Sequence, residues 1–285
     1  KAYVLYHIRI PRVIGTIVVG AILALSGNTL QAIMRNDLAE PSLLGISSGA
    51  AVLTGIGILL LGAMHPFLFL FAFIGALTTT LAVQRLAQVQ GRVTAQQLVL
   101  TGVAVNALCG AVLGLFSFLS TEEQLRSITF WMLGGMGGIT WSTLGPLAIA
   151  FMLLFMYGTA QSKNLDLIAL GDHEAHVLGV SPMKIKNRMI ILSSLAVGVT
   201  VAICGIISFV GLIIPHVSRL LVGSKHRNSL IVSAVLGALL LTSADLVART
   251  IIRPAELPIG ILTSLLGAPF FMALLRKTKK TDAYA

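Results

Sequence analysis

Val13-Ile-Gly-Thr-Ile-Val-Val-Gly20-Ala-Ile-Leu-Ala-Leu-Ser-Gly27-Asn-Thr-Leu-Gln31-Ala-Ile33 holds no Asp, Glu, Lys or Arg, and arginines stand just outside it at Arg12 and Arg35. As a helix rising 1.5 Å per residue it is about 30 Å long, the thickness of a bilayer's hydrocarbon core. Similar runs fill most of the 285 residues, near 42–62, 66–84, 95–118, 141–160, 189–205, 206–222, 229–248 and 257–275. None alternates with period two, and all are too long for barrel strands. Backbone in hydrocarbon must satisfy its own hydrogen bonds, so helices remain. The expected fold is an all-α polytopic membrane protein with about nine transmembrane helices, forming one transmembrane domain over residues 1–285.

Composition agrees. Hydrophobic residues make up 56% and charged residues 11%, and mean hydropathy is +0.94. A soluble domain carries about 25% charged residues. The net charge of +10 would suggest nucleic acid in a soluble protein. Here the basic residues sit in short loops between apolar runs, so they report topology and the bilayer is the partner. Cys109 and Cys204 lie inside apolar runs and read as small core residues, not as a disulfide. The chain opens at Lys1 rather than at a methionine, which implies upstream sequence.

The pair of runs at 189–222 admits two counts, two spans or one span and a re-entrant piece. Positive charge decides. Nine passes put fourteen basic residues on one side, against Lys1, Arg9, Arg12, Arg126, Arg249 and Arg253 on the other. Eight passes leave nine against eleven, which is no bias. Nine passes place Lys1 outside and the C-terminus in the cytoplasm.

The longest cytoplasmic loop is then Gln161–Asn187, two short helices broken at Gly171 and Gly179. Connectors usually run about 2–8 residues, so this segment reads as a docking surface. Outside, Leu119–Thr140 contains Glu122, Glu123 and the cluster Gly134-Gly135-Met136-Gly137-Gly138, which permits either sharp re-entry or close helix contact. The pairs Gly45/Gly49 and Gly110/Gly114 let helices approach closely.

Several motifs mislead. Gly45-Ile46-Ser47-Ser48-Gly49 fits a serine-hydrolase elbow in letters only, because that motif needs a strand before it. The chain has no phosphate-binding G-x-x-x-x-G-K-[ST] loop, so it does not bind ATP by that route and any ATP hydrolysis must come from a partner. Asp245 is the one carboxylate deep in an apolar run, and Arg249 one turn later suggests an internal ion pair. His216 follows Pro215, and His226 lies ten residues on; packing explains both as well as iron contact does. No catalytic or metal-binding set is expected.

Ile8-Arg9-Ile10-Pro11-Arg12, the Gly20…Gly27…Gln31 run and Arg35-Asn36…Pro41…Gly45 are similar to the start of the FecCD-type permeases, the membrane subunits of ABC importers for siderophores, haem and vitamin B12. Further matches run in order to the end. They are Leu170-Gly171-Asp172…Leu178-Gly179-Val180, Ile207–His216, Ala244–Arg249 and Glu256-Leu257-Pro258-Ile259-Gly260…Gly267-Ala268-Pro269-Phe270. The resemblance implies ten helices per subunit, the first preceding Lys1. It implies a homodimer with two cytoplasmic ATPase subunits, which bind ATP and Mg, and a periplasmic binding protein, all at the bacterial inner membrane. By motif, Gly171, Asp172, Glu174, Ala175, Leu178, Gly179 and Val180 would seat on the ATPases, and Arg9, Arg12 and Arg249 would meet acidic residues of the binding protein. This chain itself would need no cofactor. Ser120–Trp131 resembles the matching segment of haem permeases, so haem is the expected cargo, with Met136, His216 and His226 as path residues. The alternative is an ion-coupled secondary transporter, which would show several buried carboxylates or discontinuous helices.

Overall fold

A computed structural model describes residues 2–63, 65–89 and 92–282. Lys1 lies outside the described residues, as do the side chains of Arg92, Arg276, Lys277, Lys279 and Lys280, which entered the charge count. Inner and outer ends are named below by the orientation that the basic residues imply.

The first span is longer than its apolar run. α1 (Ala2–Val4), a single π-helical turn at Leu5–Arg9 and α2 (Ile10–Met34) form one continuous rod. Pro11 lies inside this rod and has no N–H to give to the turn before it, and in that turn Tyr6 O accepts from Trp141 Nε1 at 3.0 Å. Arg35 takes the left-handed conformation, φ 48°, and ends the rod. A 3-10 turn at Pro41–Leu44 leads to α3 (Ile46–Leu61), entered through Gly45 at φ 74°. The serine-hydrolase letters therefore fall on a helix start, with Ser47 in the first turn of α3.

α4 (Leu68–Leu86) and α5 (Ala95–Leu119) are joined by two-residue strands, β1 (Gln88–Val89) and β2 (Arg92–Val93), paired antiparallel. Thr94 and Gln97 close a capping box at the start of α5. α6 (Glu122–Met132) begins with the same device, Thr121 and Gln124. α7 (Trp141–Ala160), α8 (Ser162–Leu170), α9 (Asp172–Val177) and α10 (Pro182–Cys204) follow. α11 (Val210–Val222), α12 (His226–Thr250) and α13 (Ile259–Asp282) complete the chain.

Six helices are long and apolar enough to cross a membrane, and Ile46–Leu61, Val210–Val222 and Ile259–Ala273 are shorter apolar helices. Among the described residues these nine stand where the nine spans were expected. The ambiguous region 189–222 has its own geometry. α10 ends at Cys204, Gly205–Ser208 has no regular secondary structure, and α11 has 13 residues. That helix alone is about 20 Å long, shorter than the apolar thickness of a bilayer. Irregular backbone at this depth is tolerated only inside protein, and here other loops cover it. Gly135 N–H donates to Cys204 O at 2.8 Å, and Gly134 and Gly260 leave no room for a Cβ beside Ile206 O.

The core is built on α2. Gly20 meets Gly237 of α12 backbone to backbone, and Gly27 meets Gly211 of α11 the same way. Polar side chains fasten the α2–α12 crossing at three levels. Thr16 pairs with Thr242 at 3.2 Å. Asn28 donates to Ser229 and Ser233 at 2.7 and 2.8 Å. Arg12 grips Asp245. Buried hydroxyl and amide groups must be paired in hydrocarbon, so these bonds also fix the register of the crossing. The two glycine pairs behave differently from one another. Gly49 packs against Gly75 and Thr79, whereas a Cβ at Gly110 or Gly114 would meet nothing within this subunit. The expectation of close contact fails for the second pair because that face of α5 points outward.

Candidate coupling surface and outer charge cluster

At the inner end, α8 and α9 form a bracket under the helix ends. Leu165 and Ile168 are wholly buried and seat α8 in the core. Gly171 turns the chain at φ 153°, a value only glycine adopts easily, and the Glu174 carboxylate folds back against it. Ala175 is wholly buried and seats α9; Gly179 ends it at φ 83°, and Val180 packs on the core. Asp172 bridges to Lys186 of α10 at 2.6 Å and to Arg35 at 3.5 Å. Asp166 bridges to His226 at 2.6 Å.

With its inner side held, the bracket's outer side is apolar. Leu170, Val177 and Leu178 are 68%, 72% and 59% exposed, at the end of the molecule expected to lie in water, with exposed His173, Glu174 and His176 around them. A patch of this kind, rimmed by polar groups, is a candidate contact surface. Of the seven residues expected at this surface, Asp172, Glu174, Leu178 and Gly179 are exposed and Val180 is half-buried, whereas Ala175 and Gly171 shape it from beneath.

At the outer end four charges converge. Arg12 Nη2 stands 2.8 Å from Asp245 Oδ1 and 2.9 Å from Glu256 Oε2, while Nε and Nη1 add bonds to the same two carboxylates. Arg249 Nε lies 3.0 Å from Asp245 Oδ2. The internal Asp245–Arg249 pair was legible one turn apart on α12; the far stronger grip of Arg12, from the other end of the chain, was not. Arg12 is buried, so its guanidinium is unavailable to a docking protein, which corrects its expected place in that surface. Arg9 is exposed and Arg249 is half-buried.

The expected path residues are not brought together. Met136 is buried in the core near the outer cluster. His216 sits edge-on to Phe270, ring centroids 5.9 Å apart. His226 lies at the inner surface, in a cavity of about 590 Å3 lined by Gln31, Arg35, Asp37, Asp166, Arg219 and Lys225, where it holds α8. Among the described residues no three His, Cys, Asp or Glu side chains could hold a metal ion. A second cavity, about 390 Å3, opens between Met132 and Leu133, the Ile206–Ser208 break and Gly260–Leu265 of α13.

Sequence reasoning also missed Glu40. It is half-buried, and its carboxylate accepts the Phe209 N–H at 2.8 Å, capping α11 at the break. Phe209 is left-handed, φ 68°, and its side chain packs against Gly267, leaving no room there for a Cβ. A second carboxylate and a discontinuous helix are features credited above to ion-coupled transporters, so geometry alone does not separate the two classes.

Similarity separates them. The FecCD transport family model matches residues 1–277. The chain belongs to the FecCD family. It is 42% identical over 279 residues to the hemin transport system permease protein HmuU of Yersinia pestis, covering 96% of this chain and 83% of that one. It is 41% identical over 277 residues to the vitamin B12 import system permease protein BtuC of Salmonella typhi, covering 96% and 84%. A metal-chelate type ABC transporter solved in an inward-facing conformation superposes with TM-score 0.87 at 36% identity, covering 97% of this chain and 88% of that one. PsaBC from Streptococcus pneumoniae, at 16% identity and TM-score 0.63, shares the fold. This FecCD chain is therefore the membrane-spanning permease subunit of an ABC importer, a transport subunit and not an enzyme. FecCD permeases work in the membrane with ATPase and substrate-binding subunits.

Proposed function

We propose that the chain is a single transmembrane permease domain that works as a homodimer in the bacterial inner membrane, importing haem or a similar iron chelate. Two ATPase subunits would seat on the α8–α9 bracket, and a periplasmic binding protein would dock on the outer face through Arg9 and Arg249. The observation that carries this reading is the bracket itself. Its apolar residues Leu170, Val177 and Leu178 are exposed, while Asp166 and Asp172 tie it to transmembrane helices. ATP binding would close the ATPase pair, move the bracket and alternate the opening of the central path. That requires only that ATP and loaded binding protein favour different states of one bistable element. No cofactor is needed in this chain; ATP and Mg stay with the partner. Haem is favoured over other cargo by the Ser120–Trp131 segment, now helix α6, and by the likeness to HmuU.

The test is uptake into proteoliposomes holding the whole complex, with haem, ferric siderophores and vitamin B12 offered separately. ATP-dependent uptake of haem is expected. Siderophore or vitamin B12 uptake without haem would end the haem assignment and leave the importer. ATP hydrolysis by the purified chain alone would sink the assignment of roles, and normal transport by Gly179→Pro at normal membrane level would sink the bracket's.

A further inference from the structure

Among the described residues, the polar contacts between the cytoplasmic bracket and α12 join one pair of residues. Asp166, in the second turn of α8, accepts the His226 backbone N–H at 2.9 Å and meets His226 Nδ1 at 2.6 Å. His226 is the first residue of α12, whose own N-cap, Lys225, makes no side-chain cap. One carboxylate from another helix therefore both caps α12 and grips its first side chain. α8 cannot swing freely beneath this contact, because Leu165 and Ile168 fix it in the core.

From His226 the helix runs without a proline to Thr250. The 19 positions to Asp245 span about 29 Å. Along that length α12 is joined to α2 by Asn28 with Ser229 and Ser233, by the Gly20–Gly237 contact and by Thr16 with Thr242. It ends in the cluster of Arg12, Asp245, Arg249 and Glu256. Buried bonds at successive levels prevent one helix from sliding on the other, so the pair can carry a displacement across the bilayer undiminished.

We infer that the Asp166–His226 tie is where movement of α8 enters the α2–α12 pair and is carried to the charge cluster on the opposite face. This rests on the importer reading above. Asp166 and His226 are positioning residues, touching neither cargo nor nucleotide. They link the face that meets the ATPases to the face that meets the binding protein.

The experiment uses the complete complex in nanodiscs and reads the ratio of ATP hydrolysis with loaded binding protein to hydrolysis without it. Asp166→Ala and His226→Ala should each lower that ratio about fivefold or more, the scale of ordinary coupling between sites. The double variant should be no worse than either single one, because both remove the same tie. Asp166→Asn keeps the one oxygen, Oδ1, that meets both the His226 backbone N–H and Nδ1, so it should hold the ratio close to wild type. A loss in Asp166→Asn as large as in Asp166→Ala would mean that these two contacts are not what the ratio reads and would overturn the inference. Unchanged stimulation in the alanine variants, with a lower melting temperature, would do the same, as would additive losses in the double variant. Either result beside a wild-type complex that imports leaves the importer reading standing. A wild-type complex without ATP-driven uptake overturns both.

Discussion

The α2–α12 crossing and the outer half of α5 are both rich in small residues, yet only the first is packed at its glycines. At Gly20 and Gly237 the two backbones touch, and threonine, asparagine and serine side chains bond across the contact. On α5, Gly102 lies against Leu43 O, Ser48 donates to Asn106 at 2.6 Å, and Leu113 and Phe116 pack beside Gly55, but the other face of the helix is open. Leu108, Leu115 and Phe118 are exposed, and Gly110 and Gly114 face open space. Glycine spacing marks where a backbone can be approached closely. Polar residues able to bond across the contact mark where it is approached within the same chain.

Four substitutions sharpen this contrast, read as thermal unfolding of the purified chain in detergent. Arg12→Ala should cost most, about 3–5 kcal/mol, because Asp245 keeps only Arg249 and Glu256 loses its partner. A cost below that of Asn28→Ala would mean that the outer cluster is solvated and does not hold the crossing. Gly237→Ala should follow at about 1–3 kcal/mol, since its Cβ would overlap Gly20 O and something must shift. Asn28→Ala should cost about 1–2 kcal/mol through two lost bonds. Gly110→Ala should cost nothing and add up to about 1 kcal/mol through helix propensity. Equal losses at Gly110 and Gly237 would break the contrast outright.

The helices were legible because apolar length and breaker residues follow directly from bilayer thickness. The bracket was legible too, since Gly171 and Gly179 interrupt a loop too long for a connector. Three features were not. The half-length α11 was hidden because Ile206 and Ile207 continue the apolar run, and only surrounding backbone makes an irregular segment tolerable there. Arg12 looked like a surface arginine because its partners lie more than two hundred residues away, a separation no local pattern records. Glu40 sits in a polar stretch, where nothing local marks it as the cap of a distant helix. Long-range polar pairing is what one sequence conceals, and it is what holds this subunit together.

That separation has a consequence for how the chain is made. Arg12 leaves the ribosome 233 residues before Asp245. At about 5–20 residues per second the gap is roughly 10–50 s. Through that interval the first helix carries a charge whose placement at mid-bilayer would cost about 2.5–3.5 kcal/mol, so it must wait with that end in the headgroup layer. The arrival of Asp245 removes the penalty. A nascent chain stopped short of that residue would keep an unmatched arginine at the membrane edge, a mark by which proteolytic surveillance can tell it from the finished subunit.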